Sequence, residues 1–368
     1  MSHKLAYLCS SESWGGLEMN HLRNAQWMQE RGHEVVVIGI ENSPFIERAH
    51  TMNLIVESIP SFGKYYDLKA GKKLSALLTK LKVTHLITRA TRDLSITANV
   101  KSRLKGQIHT SYFMEMQLGV KKTGLSHTQR FKGIDLWSCP LLWLKEQVET
   151  MTHFRNELVH IPSGLVRPEC NSIPSQQDAR RELDLPENDI IFGLIGRFDP
   201  QKGQLLVLEA LKKAESKDIH LLLIGEPTIG EGEEYHQNML QLIREEGLEN
   251  RVHVRPFQNN LAASYSAIDW MIMATKAESI GMVTLECLAH GTPVLGSNAG
   301  GTPEILQLDK GGQLFETMNS DNLANKLDQI VKENVRFKPE ALRSLTDAFD
   351  HQKVCEEVEK VLGLIPNL

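Results

Sequence analysis

The chain has 368 residues, 41% of them apolar and 24% charged, a balance that excludes an extensively disordered, collagen-like or low-complexity protein. At roughly 100 to 200 residues per domain this length favours two domains, each with room for its own core. The net charge of −5 divides unevenly: residues 1–167 carry 22 Lys and Arg against 14 Asp and Glu, and the remainder carries 19 against 32. The basic half is expected to attract a phosphate-bearing acceptor or an anionic membrane surface. Five scattered cysteines without a CxxC pair suit reduced thiols in a cytoplasmic protein. The N-terminal segment MSHKLAYLCSSESWGG holds one short apolar run, which reads as a first strand and not as a signal peptide or membrane span.

Runs rich in Val, Ile and Leu recur over 4–10, 34–40, 53–59, 83–88, 107–112, 134–139 and 157–163, near-continuous in the manner of strands buried on both faces. Helical stretches separate several of them: 17–32 ends at Gly32, and Lys64, Lys69, Lys72, Lys73, Lys80 and Lys82 fall along an amphipathic helix. Three prolines between Leu165 and Pro186 mark a hinge. The pattern restarts over 189–197, 219–226, 251–257, 269–275, 292–299 and 312–316. The alternation predicts two doubly wound α/β domains, 1–167 and 168–348, with a last helix in 349–368 that either completes the second or packs back on the first. Open α/β sheets bind ligands outside the carboxyl ends of their strands, so a cleft between the domains is the expected place for chemistry.

Three segments stand at such ends. The first strand runs into Gly15 and Gly16 just before a helix, where small residues let backbone amides approach an anion, although a glycine turn alone explains the pair equally well. The second series opens with GRFDPQKG, Gly196 to Gly203. There Arg197 offers a planar fork and Lys202 a point charge to a pyrophosphate whose oxygens become more negative as a bond to them breaks. The densest segment is KAESIGMVTLECLAHGTPVLGSNAGGTPEIL, Lys276 to Leu306. In it Glu278 precedes a loop that enters a helix near Val283, and Glu286 projects about one turn further on. Two acceptor-only carboxylates flanking such a loop suit hydroxyl-rich ligands, one for a sugar and one for a ribose.

GGLE, GRFDPQKG and ESIGMVTLE with AHGTPVLGSNAGGTPE resemble the retaining glycosyltransferases of family 4 (glycosyl transferases group 1), which have the GT-B fold of two Rossmann-like domains facing each other across a cleft. RFKGIDLWSCPLLWLKEQV and HIPSGL extend the resemblance through the first half. The resemblance implies a nucleotide-diphosphate sugar bound mainly by the C-terminal domain and an acceptor bound mainly by the N-terminal one. It implies that Arg197 and Lys202 bind the diphosphate, that Glu278 holds the donor sugar's hydroxyls, and that Glu286 holds the ribose. Backbone groups of Gly281, Met282 and Val283 would line the donor phosphate and sugar, joined by Gly196, Gly15 and Gly16, and those at Pro256 and Phe257 the nucleobase. His109, at the end of a first-domain strand, resembles the family's active-site histidine.

The expected reaction moves a hexosyl-type sugar from a UDP- or GDP-linked donor to a hydroxyl of a saccharide or lipid-linked saccharide, with retention, in cell-surface polysaccharide or glycolipid assembly. No DxD triad is present and Asp199 stands alone, so Arg197, Lys202 and helix dipoles are expected to supply the positive field without metal or cofactor. Peripheral contact with the inner face of a membrane is expected through the basic half, and no nucleic acid partner. The competing readings are an epimerase or phosphorylase on the same fold, or a non-catalytic nucleotide-sugar-binding protein.

Overall fold

A computed structural model describes residues 3–65, 67–227, 232–258 and 260–364. Each apolar run contains a strand: β1 (Lys4–Cys9), β2 (Glu34–Ile40), β3 (Val56–Ile59), β4 (His85–Thr88), β5 (His109–Phe113), β6 (Leu136–Cys139), β7 (Glu157–His160), β8 (Ile190–Ile195), β9 (Ile219–Ile224), β10 (Val252–Arg255), β11 (Trp270–Met273), β12 (Val294–Ser297) and β13 (Gly312–Phe315). Among the described residues they form two sheets, ordered β3-β2-β1-β4-β5-β6-β7 and β10-β9-β8-β11-β12-β13, with every pairing parallel. In each sheet the order reverses once, between β1 and β4 and between β8 and β11. Loops leaving two adjacent strands on opposite sides of such a switch point leave a crevice at their carboxyl ends.

The chain divides into two compact units, Met1–Gly164 with Phe349–Leu368, and Leu165–Ala348. The boundary thus precedes the expected residue 167, and the proline-containing stretch taken for a hinge is part of the second unit. Its helix Gln176–Glu182 is anchored by one buried arginine. Arg180 Nη2 pairs with Asp269 at 2.7 Å, while its Nε donates to the Ala267 carbonyl and its Nη1 to the Glu187 and Asp189 carbonyls. Asp269 also accepts the Ile191 amide at 2.8 Å. One guanidinium therefore gathers the starts of β8 and β11, and every polar atom it buries has a partner, which is what makes burying it affordable.

In the first unit the helix Gly16–Glu30 lays Leu22, Ala25 and Met28 on the sheet, against β1 and β2 residues such as Tyr7, Val35 and Val37. The basic helix Leu68–Lys80 starts at an Asp67 cap that accepts the Ala70 amide at 2.9 Å, and it buries Leu74 and Leu78 while its lysines face solvent. The C-terminal helix His351–Val361 packs in this unit, with Val354, Cys355 and Val358 in the same cluster as Leu22 and Val37. Its Glu359 accepts from Arg31 at 2.6 and 2.7 Å and lies 2.7 Å from His33 Nε2. Cys9, Cys139, Cys287 and Cys355 are buried and Cys170 is exposed; all five are free thiols. No described helix is long and apolar enough to cross a membrane.

Hydrogen bonds from Arg31 hold the Glu359 carboxyl below its usual range. A depressed carboxylate contributes stability that is present above its unfolded value and is lost as pH falls through the folded one. Glu359→Gln is expected to destabilise the first unit by about 1–3 kcal/mol at neutral pH. In urea melts from pH 7 to pH 3 the gap between wild type and variant should close towards acid; a gap that stays constant would contradict this role for the charge.

Candidate donor site and the polar edge of the first unit

The second unit brings two of the predicted segments to its switch point. GRFDPQKG leaves β8 and KAESIGM leaves β11, and these strands are neighbours, with Trp270 opposite Phe192 and Met271 opposite Gly193. Gly203 closes the first loop in the left-handed region at φ 78°, as the residue before the helix Gln204–Lys213. A Cβ there would lie 2.6 Å from the Ala274 carbonyl oxygen, so any side chain would push the two loops apart. Buried Gln204 then donates to the Arg197 carbonyl at 2.8 Å and fixes the loop from within.

That closure sets Lys202 against Glu278. Their Nζ and Oε2 are 3.1 Å apart, both side chains are less than one-third exposed, and Thr275 Oγ1 donates to the same Oε2 at 3.4 Å. The Glu278 backbone is held too. Its carbonyl accepts the Gly301 amide at 2.8 Å, and a Cβ on Gly300, at φ 64°, would come within 2.3 Å of that carbonyl oxygen. Ser297 donates to the Thr275 carbonyl at 2.7 Å. Arg197 differs from Lys202. Its side chain is 66% exposed, with Nη2 3.7 Å from Asp199 Oδ2.

Gly281, Met282 and Val283 form the entry to the helix Met282–His290, where unpaired amides suit an anion. Glu286 lies one turn inside it and accepts from the buried Tyr265 hydroxyl at 2.6 Å. Tyr265, on the helix Ala262–Ala267, and Thr275 were not read as site residues, because a tyrosine in AASYSA and a threonine after a strand carry no sequence signal. Pro256 and Phe257 follow β10 at the sheet edge, and Phe257 is exposed.

The first unit corrects one expectation. His109 does stand at a strand end, but at the amino end of β5, paired in register with His85 at the amino end of β4. The two rings lie 5.3 Å apart, His85 Nε2 lies 3.1 Å from the Leu362 carbonyl, and burial lowers both imidazoles, His85 to about 4. Both rings stand on the edge opposite the one where an open sheet receives ligands. Gly15 and Gly16 do open the first helix, with buried Glu18 in its first turn.

The carboxyl edge of this sheet carries a cluster that the sequence reading missed. Arg89, just past β4, and Glu115, just past β5, form a buried ion pair, and Asn20 Nδ2 donates to Glu115 at 3.1 Å. Burial lowers Arg89 to about 10. Beside it, at the β1–β4 switch, Asp93 accepts from the Ser10 hydroxyl and amide, and burial raises its carboxyl to about 6. An arginine directly after HLIT and a glutamate inside YFMEM were the available signals.

Residues 175–346 match the family described as Glycosyl transferases group 1. The chain is 24% identical, over 94% of its length and 94% of the relative's, to a lipopolysaccharide core biosynthesis glycosyltransferase of Rhizobium meliloti. It is 27% identical to the N-acetyl-alpha-D-glucosaminyl L-malate synthase of Bacillus anthracis, over 59% of this chain and 60% of that one. Among solved structures, a glycosyltransferase of Rickettsia africae superposes with a TM-score of 0.85 at 18% identity, covering all of both chains. The Anabaena HepE protein, in complex with UDP and glucose, superposes with a TM-score of 0.79 at 19% identity, over 99% of this chain and 100% of that one. Over residues 175–346 the second unit is similar to the glycosyl transferases group 1, and the fold of the chain is GT-B.

Proposed function

We propose that the protein is a retaining glycosyltransferase. It would move a hexose from a UDP- or GDP-linked donor to a hydroxyl of a saccharide or lipid-linked saccharide, without a metal, in the assembly of a cell-surface polysaccharide or glycolipid. The observation that carries this reading is the Lys202–Glu278 pair at the β8–β11 switch point. Without donor, the ammonium and carboxylate satisfy each other. A diphosphate is the stronger partner for the ammonium, because it is doubly charged and offers several acceptor oxygens. Sugar hydroxyls are suitable donors for the carboxylate that is thereby released. Donor binding thus exchanges one internal ion pair for two matched contacts.

In the reaction the bond between the anomeric carbon and the diphosphate oxygen breaks, and its electron pair stays on that oxygen. The acceptor hydroxyl oxygen bonds to the same face of the carbon, and its proton passes to the departing phosphate. Charge therefore grows where Lys202, Arg197 and the amides of Gly281 to Val283 are aimed, and catalysis consists of positioning and charge stabilisation. With two cationic side chains and a helix entry at one place, no divalent ion is required in the scheme. Glu286, oriented by Tyr265, takes the ribose hydroxyls, and the loop after β10 the base. The names of the Rhizobium and Bacillus relatives and of the Anabaena UDP–glucose complex support a sugar nucleotide donor and a small or lipid-borne hydroxyl acceptor. Exposed Val120 and Leu125, flanking Lys121, support peripheral membrane contact by the basic half.

Lys202→Ala is expected to lower kcat by about 100- to 1,000-fold, the usual cost of losing a donor to developing negative charge. Tyr265→Phe and Glu286→Gln should instead raise the Kd for nucleoside diphosphate, about fivefold for the lost tyrosine hydrogen bond, and leave kcat nearly unchanged. Steady-state kinetics with calorimetry separates the two patterns; equal losses in both constants for all three variants would contradict the assignment. Activity should persist in excess EDTA, and abolition by the chelator with rescue by Mg²⁺ would refute metal-free transfer. With acceptor withheld the donor should be recovered unchanged, whereas its epimerisation would favour a different reaction on the same fold.

A further inference from the structure

The first unit contains a cavity of about 160 Å³, lined in part by Lys64, Lys122, Arg130, Tyr112, Trp137 and Phe131. Its size is close to the roughly 150 Å³ that houses a benzene ring. Its chemistry is one-sided. Three cationic side chains line it and no carboxylate does. Tyr112, Trp137 and Arg130 are all more than nine-tenths buried, and the Tyr112 hydroxyl, the Trp137 indole Nε1 and the Arg130 Nε each have no hydrogen-bond partner among the described residues. Burial pushes the Tyr112 hydroxyl up, so it stays protonated and remains a donor. Three cationic side chains at one cavity, with no carboxylate among its described lining residues, leave a positive charge that an anion from outside would balance.

Arg130 is held in place for that purpose. Its guanidinium carbon stacks 5.2 Å from the Tyr65 ring centroid, and one terminal nitrogen donates to His127. Burial lowers His127, and the Arg130 and Lys122 charges lower it further, which marks the positive field of the cavity. The cavity also lies on the carboxyl side of the sheet. Thr91 and Leu94 follow β4, and Met116 and Leu118 follow β5.

We infer that this cavity is a subsite for an oxyanion, a phosphate or carboxylate carried on a ring-sized body. On the transferase reading, on which this identification of the ligand rests, it holds the anionic group of the acceptor. Lys64 and Lys122 supply point charges at the cavity and Arg130 a planar fork. Phe131 and the Trp137 ring face the apolar part of the ligand.

The test is calorimetric titration of the full chain with glucose 6-phosphate, with glucose as the neutral control and UDP titrated in parallel. Phosphatidylcholine vesicles with and without phosphatidic acid test a lipid-borne phosphate. Glucose 6-phosphate should bind at least tenfold more tightly than glucose, and Arg130→Gln and Lys122→Gln should each weaken it about tenfold, as expected for a lost charged hydrogen bond. Lys64→Gln, at an exposed position, provides a variant that does not risk the core, and it should weaken binding in the same direction. Binding to the phosphatidic acid vesicles alone, lost in the same variants, would assign the oxyanion to a lipid. Equal affinity for glucose, binding unchanged in all three variants, or no binding to either phosphate probe while UDP still binds would overturn the inference and leave the transferase reading standing. Phosphate binding without UDP binding would sink the transferase reading and leave the subsite in place.

Discussion

An ion pair between two loops is the interaction on which the chemistry proposed for the second unit depends. Lys202 and Glu278 are 76 residues apart in sequence, and they meet because β8 and β11 are neighbours across the one reversal in strand order. The meeting is enforced sterically. Gly203 permits the loop after β8 to lie against Ala274, and Gly300 permits the loop after β12 to lie against the Glu278 backbone. A pair less than one-third exposed is weakly screened compared with a surface contact, yet it remains reachable by a ligand. Such a pair holds a charge of each sign at one point, and on the proposed reading the donor takes up both.

The first unit is built on the same topology but spends its polar residues differently. At its switch point the charges are turned inwards: Arg89 onto Glu115, and Ser10 onto an Asp93 whose carboxyl is raised by burial. Buried, paired groups of this kind tie the strand ends together, although Arg89 Nε has no hydrogen-bond partner among the described residues. The basic cavity lies one strand further along, by β5 and β6. The units thus offer complementary kinds of site. The second carries a partly exposed charge pair, and the first a basic pocket.

The strand-helix alternation was legible because parallel strands buried on both faces are apolar without interruption, as in EVVVIGI and IHLLLIG. The segments after β8 and β11 were legible for a related reason, since glycines, a lysine and a glutamate at fixed offsets stand out where a strand ends. The boundary near residue 165 was less so. Prolines there suggested a hinge, and only the tertiary contacts of Arg180 with Asp269 and three carbonyls show why the segment belongs to the second unit. His109 misled because a histidine beside a strand looks the same in sequence whether it begins or ends the strand; register with His85 decides it. Tyr265 and the unpaired donors of Tyr112 and Trp137 could not be read at all, since a hydroxyl's partner, or its lack of one, is a property of packing.

The central claim is that the ammonium of Lys202 receives the donor's diphosphate. Its most direct measurement is the difference in binding free energy between UDP and uridine, taken by calorimetry for the wild-type chain and for Lys202→Ala. The difference isolates the diphosphate from the nucleoside. The account predicts that it shrinks by about 1.5–3 kcal/mol in the variant, the range for a hydrogen bond to a charged group, while uridine affinity stays the same. An undiminished difference would place the diphosphate elsewhere and contradict the account.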